Sequence, residues 1–106
     1  LDPGGGEVLG APERYALEKV ALVLFLSDNG PFLSYGTHAG SAGPLREGKL
    51  TAFEGGVRVP GIARWPGRVP AKRVCDTPVM TIDLLPTLCK LCGAEQPKLP
   101  IDGKDV

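Results

Sequence analysis

The sequence lacks the features that mark several large classes of protein. It has no excess of either charge, because 12 Lys and Arg residues balance 12 Asp and Glu residues. A balanced chain does not favour binding to nucleic acid or to an anionic membrane surface. No apolar run approaches the roughly 20 residues that a membrane-spanning helix requires, and the first residues lack the basic and apolar regions of a signal peptide. We therefore expect no nucleic-acid partner and no membrane span.

Cysteine and histidine are also scarce. The cysteines Cys75, Cys89 and Cys92 are too few for a disulfide scaffold, and their odd number leaves at least one thiol unpaired within the chain. Cys89 and Cys92 have C-x-x-C spacing, but no second ligand pair completes a zinc site, so we predict small residues on the buried side of a helix. The single histidine, His38, is predicted to be a loop residue.

Glycine and proline are abundant, with 15 and 11 residues. Aliphatic runs are nevertheless too strong for a disordered chain, so the composition predicts long structured loops between a few buried elements. Residues 1–17 show no hydrophobic period, and we assign them neither an element nor a function. Residues 18–106 are predicted to form part of one domain.

Three segments carry the patterns of regular structure. The continuous run of residues 20–26 predicts a strand covered on both faces, in a parallel or mixed sheet flanked by helices. The stretch "VRVPGIARWPG" predicts a second strand, with Pro60 at an edge or irregular point. The stretch "TIDLLPTLCKLCG" predicts a helix that is capped by Thr81 or Asp83 and ends at Gly93. Because these elements make a poor core, we expect a larger sheet outside these residues.

Two local contacts are predicted near the second strand. Glu54 and Arg58 flank a glycine pair and are expected to form an ion pair with a structural role. Trp65 is expected to anchor a strand-ending turn with the Pro-Gly that follows it.

Asp28 and Asn29 follow the first strand directly, at the position where α/β proteins place their chemistry. In a continuing strand the two side chains would point to opposite faces, but the Gly-Pro pair behind them breaks that alternation and lets both turn toward one point. A carboxylate and a carboxamide oxygen together suit a hard cation such as Ca²⁺ or Mg²⁺. Ca²⁺ takes roughly 6–8 oxygens, so other ligands are required. The alternative is that Asp-Asn-Gly is only a turn.

Several ordered segments together resemble one family. The segments "SDNGP", "GPLREGK", "FEGGVRVPGIARWPG" and "TIDLLPTLCKLCGA" are similar to the C-terminal half of the sulfatase catalytic domain, most nearly in the arylsulfatases. The resemblance runs from about Val20 to Asp105. It implies an α/β fold of the alkaline-phosphatase-like type, here a partial one with a mixed sheet flanked by helices.

The resemblance also implies roles for three residues. It points to Asp28 and Asn29 as ligands of the active-site cation, usually Ca²⁺, and to Lys49 as the lysine that contacts the substrate sulfate. Family members commonly have Gly-Lys-Gly-Thr-Thr, whereas Leu50 follows Lys49 here. Because leucine does not readily adopt positive φ, we expect the backbone after Lys49 to differ from the family's.

The family nucleophile is a formylglycine made from a Cys-x-Pro-x-Arg motif, which these residues lack. We therefore expect a nucleophile and further metal ligands in a missing upstream part, and no turnover by these residues alone. The implied reaction is hydrolysis of a sulfate ester, and the implied location is lysosomal or secreted. Two alternatives stay open: a truncated, non-catalytic binding remnant, and a phosphatase or phosphodiesterase of the same superfamily. The residues indicate no oligomeric state.

Overall fold

A computed structural model describes residues 2–106 of the chain, which form two compact units. The first unit ends at Arg73 and the second is Val74–Val106. No helix in the described part of the chain is long and apolar enough to span a membrane.

The first unit begins with helix α1, Asp2–Arg14, where the sequence predicted no element. The sequence analysis missed this helix because it contains three successive glycines, and each glycine costs about 1 kcal/mol in a helix interior. Contacts from outside the segment fix its C-terminal end. The Glu13 carboxylate accepts a hydrogen bond from Arg64 at 3.2 Å, and the Leu17 N–H donates to the Pro12 carbonyl at 2.7 Å.

Two short strands form the sheet of the first unit. Strands β1, Val23–Leu26, and β2, Gly61–Arg64, pair in antiparallel register, and β2 begins directly after Pro60. Phe25 lies opposite Ile62, and these side chains are 51% and 60% exposed. Within the described chain β1 has only this antiparallel partner, so its predicted cover on both faces depends on the larger sheet expected outside these residues and stays a prediction.

The local contacts predicted around β2 are confirmed. Arg58 lies 2.6 Å from Glu54 across one turn of the short helix α2, Glu54–Val57, although both side chains are exposed. The Trp65 indole N–H donates to the Lys19 carbonyl at 2.9 Å, and Gly67 turns the chain with a φ of +83°.

The second unit is built around helix α3, Leu84–Cys92, which a 3₁₀ turn at Thr81–Asp83 precedes. Gly93 ends α3 in the left-handed conformation, with a φ of 66°, as predicted. Cys92 is exposed and Cys89 half-buried, so the prediction of a buried position is wrong for Cys92. The first turn of α3 is more buried than its last turn.

Asp83 ties that first turn to the C-terminal tail. Its carboxylate accepts the backbone N–H groups of Met80 and Lys104, each at 2.8 Å. These two bonds, the one from Lys104 first, lower the pKa of Asp83 because they stabilise its charged form. The tail is fastened further along by an ion pair between Lys90 and Asp105.

The second unit also contains one perturbed thiol. Backbone and side-chain hydrogen bonds from Thr77 lower the pKa of Cys75, which is exposed.

No large hydrophobic side chain in the described residues is buried, although Pro86 is. A sheet of two strands cannot cover its own faces, and stable independent sheets need further strands or a packed helix. Backbone hydrogen bonds nevertheless hold the segment after β1 against the loop before α2.

Candidate active site

The side chains of Asp28 and Asn29 meet just beyond the end of β1. The Asn29 amide Nδ2 donates a hydrogen bond to the Asp28 carboxylate Oδ2. One residue earlier, the Ser27 hydroxyl donates to the Asn29 carbonyl at 2.9 Å, which holds the chain in a turn. The pair therefore lies in a turn and also presents both side chains on one side, so the turn interpretation and the ligand interpretation are compatible.

This donor pair fits a hard cation in its chemistry. A half-turn of the Asn29 amide about its Cβ–Cγ bond exchanges Nδ2 for Oδ1, and the pair then offers a carboxylate oxygen and a carboxamide oxygen to one point. Within residues 2–106 no group of three His, Cys, Asp or Glu side chains is placed to hold a metal ion. The role of Asp28 and Asn29 as metal ligands therefore stays a prediction.

Lys49 is fastened to the same end of the sheet through its backbone. Its N–H donates to the carbonyl of Pro31 at 2.9 Å, and Pro31 stands two residues after Asn29. The Lys49 side chain is exposed. The structure thus brings the lysine backbone against the segment that carries the predicted ligands, and leaves the ammonium group in solvent.

Four glycines make this contact possible, and we call them the glycine cluster: Gly30, Gly48, Gly55 and Gly56. A Cβ added to Gly30 would lie 1.8 Å from the Gly55 carbonyl oxygen, and one added to Gly48 would lie 2.3 Å from that of Pro31. Real Cβ atoms essentially never approach other atoms within 3.0 Å. The segments behind β1, before Lys49 and at the start of α2 therefore touch backbone to backbone.

The backbone on both sides of Lys49 has a conformation that favours glycine. Leu50 has a φ of +75° and Glu47 a φ of +63°. Leu50 therefore adopts the left-handed conformation that leucine does not readily take, and the predicted difference from the family's backbone stays a prediction. Leu50 is 83% exposed, so its side chain meets no obstacle and the cost is the strain in its φ angle.

Two side-chain contacts, which the sequence analysis did not predict, support the Lys49 loop. The Thr51 hydroxyl donates to the Gly48 carbonyl at 2.8 Å, closing the turn that contains Lys49. The Arg46 guanidinium lies 3.8 Å from the centre of the Phe53 ring. The threonine two residues after the lysine could have indicated the first contact, because Thr and Ser hydroxyls commonly bond nearby backbone groups in turns.

His38 lies apart from these contacts. It ends the 3₁₀ segment Leu33–His38 and is exposed, as expected of a loop residue.

Comparison with known proteins identifies the family. The sulfatase family model matches residues 7–94, so the match begins before Val20, where we placed the start of the resemblance. Arylsulfatase A of Bos taurus is 43% identical over 106 residues, which is all of this chain and 21% of that protein. N-acetylgalactosamine-6-sulfatase of Canis lupus familiaris is 41% identical over 108 residues, covering all of this chain and 21% of that protein.

Solved structures agree with the sequence comparison. The crystal structure of Ps i-CgsB in complex with k-i-k-neocarrahexaose superposes with a TM-score of 0.89 and 38% identity, covering 98% of this chain and 23% of that one. The PsFucS1 sulfatase from Pseudoalteromonas sp. superposes with a TM-score of 0.84 and 33% identity, covering 95% and 20%. This is the predicted α/β fold class of the alkaline-phosphatase-like type, of which the chain forms a part. The chain spans about a fifth of the length of these relatives, and it belongs to the sulfatases, a family of sulfuric ester hydrolases.

Proposed function

We propose that this chain is part of an arylsulfatase-like enzyme that hydrolyses a sulfate ester to an alcohol or phenol and free sulfate. In this enzyme Asp28 and Asn29 bind the cation and Lys49 binds the sulfate group. The observation that supports the proposal best is the hydrogen bond from the Lys49 N–H to the Pro31 carbonyl. It fastens a lysine backbone directly behind a carboxylate and a carboxamide that already meet.

The chemistry of these residues suits a sulfate ester. The Asp28 carboxylate and the Asn29 amide oxygen would hold Ca²⁺, or Mg²⁺, which has the same preference for oxygen ligands. When bound, such a cation supplies positive charge that polarises the ester oxygens. The Lys49 ammonium donates hydrogen bonds to a sulfate oxygen and stabilises the negative charge that grows there as the ester bond breaks.

The remaining machinery is proposed to lie in a longer protein. The Cys-x-Pro-x-Arg motif from which formylglycine is made is absent from these residues. The exposed apolar side chains of β1 and β2 are surfaces that further strands and helices would cover. We therefore expect the 106-residue chain alone to show no sulfatase turnover.

Metal and substrate binding can be tested in the complete protein that carries this chain. Removal of divalent cations with a chelator should abolish hydrolysis of an aryl sulfate, and added Ca²⁺ should restore it. The double variant Asp28→Ala, Asn29→Ala should lose Ca²⁺ uptake in a calorimetric titration. Unaltered Ca²⁺ uptake by that variant would overturn the metal assignment.

Lys49→Met tests the sulfate contact, with Lys98→Met as the matched control. We expect a fall in kcat/KM of about 10²-fold or more for Lys49→Met, which is typical when a group that stabilises transition-state charge is removed. Lys98→Met should keep wild-type kinetics, because Lys98 lies in the exposed C-terminal segment. Equal kinetics of the two variants would contradict the role of Lys49.

Faster hydrolysis of a phosphate ester than of the matching sulfate ester would favour the phosphatase alternative.

The absence of the nucleophile motif from these residues also motivates the second candidate, a non-catalytic binding remnant. An in-frame Cys-x-Pro-x-Arg segment upstream would support the enzyme, whereas a start codon immediately before residue 1 would support the remnant. For the enzyme we propose a lysosomal or secreted location, which fractionation of cells and medium would test.

A further inference from the structure

We propose that Thr51, Gly55 and Gly56 are positioning residues of the sulfatase site, which fix Lys49 relative to the cation ligands at the end of β1. This inference rests on the proposed function, because positioning matters only if Lys49 and those ligands act on one substrate. None of the three positioning residues is proposed to touch the substrate.

The glycine pair at the start of α2 bridges the two segments that carry the site. On one side the Gly56 carbonyl accepts the Gly30 N–H at 3.0 Å, directly behind the cation ligands. On the other side the Gly55 N–H donates to the Arg46 carbonyl at 2.8 Å, three residues before Lys49. Two adjacent residues thus hold both segments at once, so a movement of the glycine pair changes the spacing between those segments.

The contact leaves the glycine pair no room to shift. Gly55 and Gly56 are both buried. A Cβ on Gly55 would lie 2.0 Å from the Glu47 carbonyl oxygen, and one on Gly56 would lie 2.3 Å from that of Thr51. Close packing of this kind transmits a displacement to its neighbours rather than absorbing it.

Thr51 closes the turn that presents Lys49. Its hydroxyl and its N–H both point to the Gly48 carbonyl, at 2.8 and 3.2 Å. The turn is strained at Leu50, which has a φ of +75°, and tightly packed at Gly48, where an added Cβ would lie 2.3 Å from the Pro31 carbonyl oxygen. A side-chain bond across the turn therefore selects one direction for the lysine.

Thr51→Val is the sharpest variant, because valine keeps the shape of threonine and removes only the hydroxyl. In the complete protein we expect kcat/KM for an aryl sulfate to fall about tenfold, since one hydrogen bond that orients the loop is lost. Thr51→Ser keeps the hydroxyl and should restore kcat/KM to within about twofold of wild type. The affinity for Ca²⁺ should stay within about twofold in both variants, because the cation ligands are bonded to each other and not to Thr51.

Gly56→Ala tests the glycine pair, with Gly10→Ala as the matched control. A Cβ on Gly10 would meet nothing within 4 Å. We expect Gly56→Ala to lower kcat/KM about 100-fold, as a displacement of about 1 Å does in an active site, while Gly10→Ala leaves it unchanged. If Gly56→Ala does not fold, Thr51→Val and Thr51→Ser decide the question alone.

The outcomes separate this inference from the proposed function. If Lys49→Met has no effect on kcat/KM, the proposed function fails and the positioning role fails with it. If Lys49→Met is impaired but Thr51→Val matches wild type, the site stands and the positioning role is wrong. A loss of Ca²⁺ affinity in Thr51→Val in proportion to the loss of activity would also overturn the inference, because it would indicate general unfolding.

Discussion

Replacing Gly30 by alanine is expected to loosen the contact between the cation-ligand segment and the Lys49 loop. A Cβ on Gly30 would lie 1.8 Å from the Gly55 carbonyl oxygen, whereas ordinary van der Waals contact begins at 3.4 Å. The two backbones would have to separate by about 1.5 Å, because neither atom belongs to a flexible side chain. That separation would break the hydrogen bond from the Gly30 N–H to the Gly56 carbonyl, which is 3.0 Å long.

The expected change in the free energy of local opening follows from these two effects. Forcing an extra methyl group into packed structure costs about 1–3 kcal/mol, and losing one backbone hydrogen bond costs about 1 kcal/mol. The free energy of local opening should therefore fall by about 2–4 kcal/mol, which corresponds to a 30- to 1,000-fold faster amide exchange.

Native-state hydrogen exchange of the complete protein measures this change. The reporters are peptides covering residues 45–57, which contain the Lys49 N–H bonded to Pro31 and the Gly55 N–H bonded to Arg46. Gly10→Ala is again the control, because its added methyl group meets no atom within 4 Å. If Gly30→Ala exchanges at the rate of the control in these peptides, the reasoning about backbone contact is refuted.

Three further predictions concern stability. Leu50→Gly should stabilise the protein by about 0.5–1 kcal/mol, because glycine relieves the strain of the positive φ; a lower midpoint in urea unfolding would contradict this. Asp83 has a lowered pKa in the folded state, so its contribution to stability is present above the unfolded pKa, near 3.8, and is lost as the pH falls through the lower folded value. Urea unfolding between about pH 2 and 6 should therefore show an acid loss of stability that is smaller in Asp83→Asn, and equal pH profiles would contradict it. Arg58→Ala should cost only about 0.3–0.5 kcal/mol, because its ion pair with Glu54 is exposed to solvent, and a loss above about 1.5 kcal/mol in the same assay would show a larger structural role.

Features that depend on residues close together in the sequence were predictable, whereas contacts between distant segments were not. The helix α3 with its Gly93 cap, the pair of Glu54 and Arg58, and the turn at Trp65 were all predictable. The first two depend on residues within a few positions of each other, and the turn depends on its own Pro-Gly. The order of the sulfatase-like segments was likewise readable from the residues alone.

What sequence reasoning missed depends on segments that meet from a distance. The sequence presented Gly30 as a chain-breaker behind Asp28 and Asn29, but the structure shows that it admits the Gly55 carbonyl from a segment about 25 residues away. Helix α1 was missed because its glycines disfavour a helix, and a contact between Glu13 and Arg64, which no local pattern indicates, holds its C-terminal end.

The sequence by itself determined the kinds of chemistry available: adjacent carboxylate and carboxamide groups, one lysine in a glycine-rich loop, and no nucleophile motif. Only the tertiary structure decided how these groups are held, through backbone hydrogen bonds and glycine contacts between the end of β1, the Lys49 loop and α2. The physical reason is that the chemistry of a side chain is set by one residue, whereas a close approach of two backbones depends on two segments together. In the sequence of either segment, a glycine is the only sign of that approach.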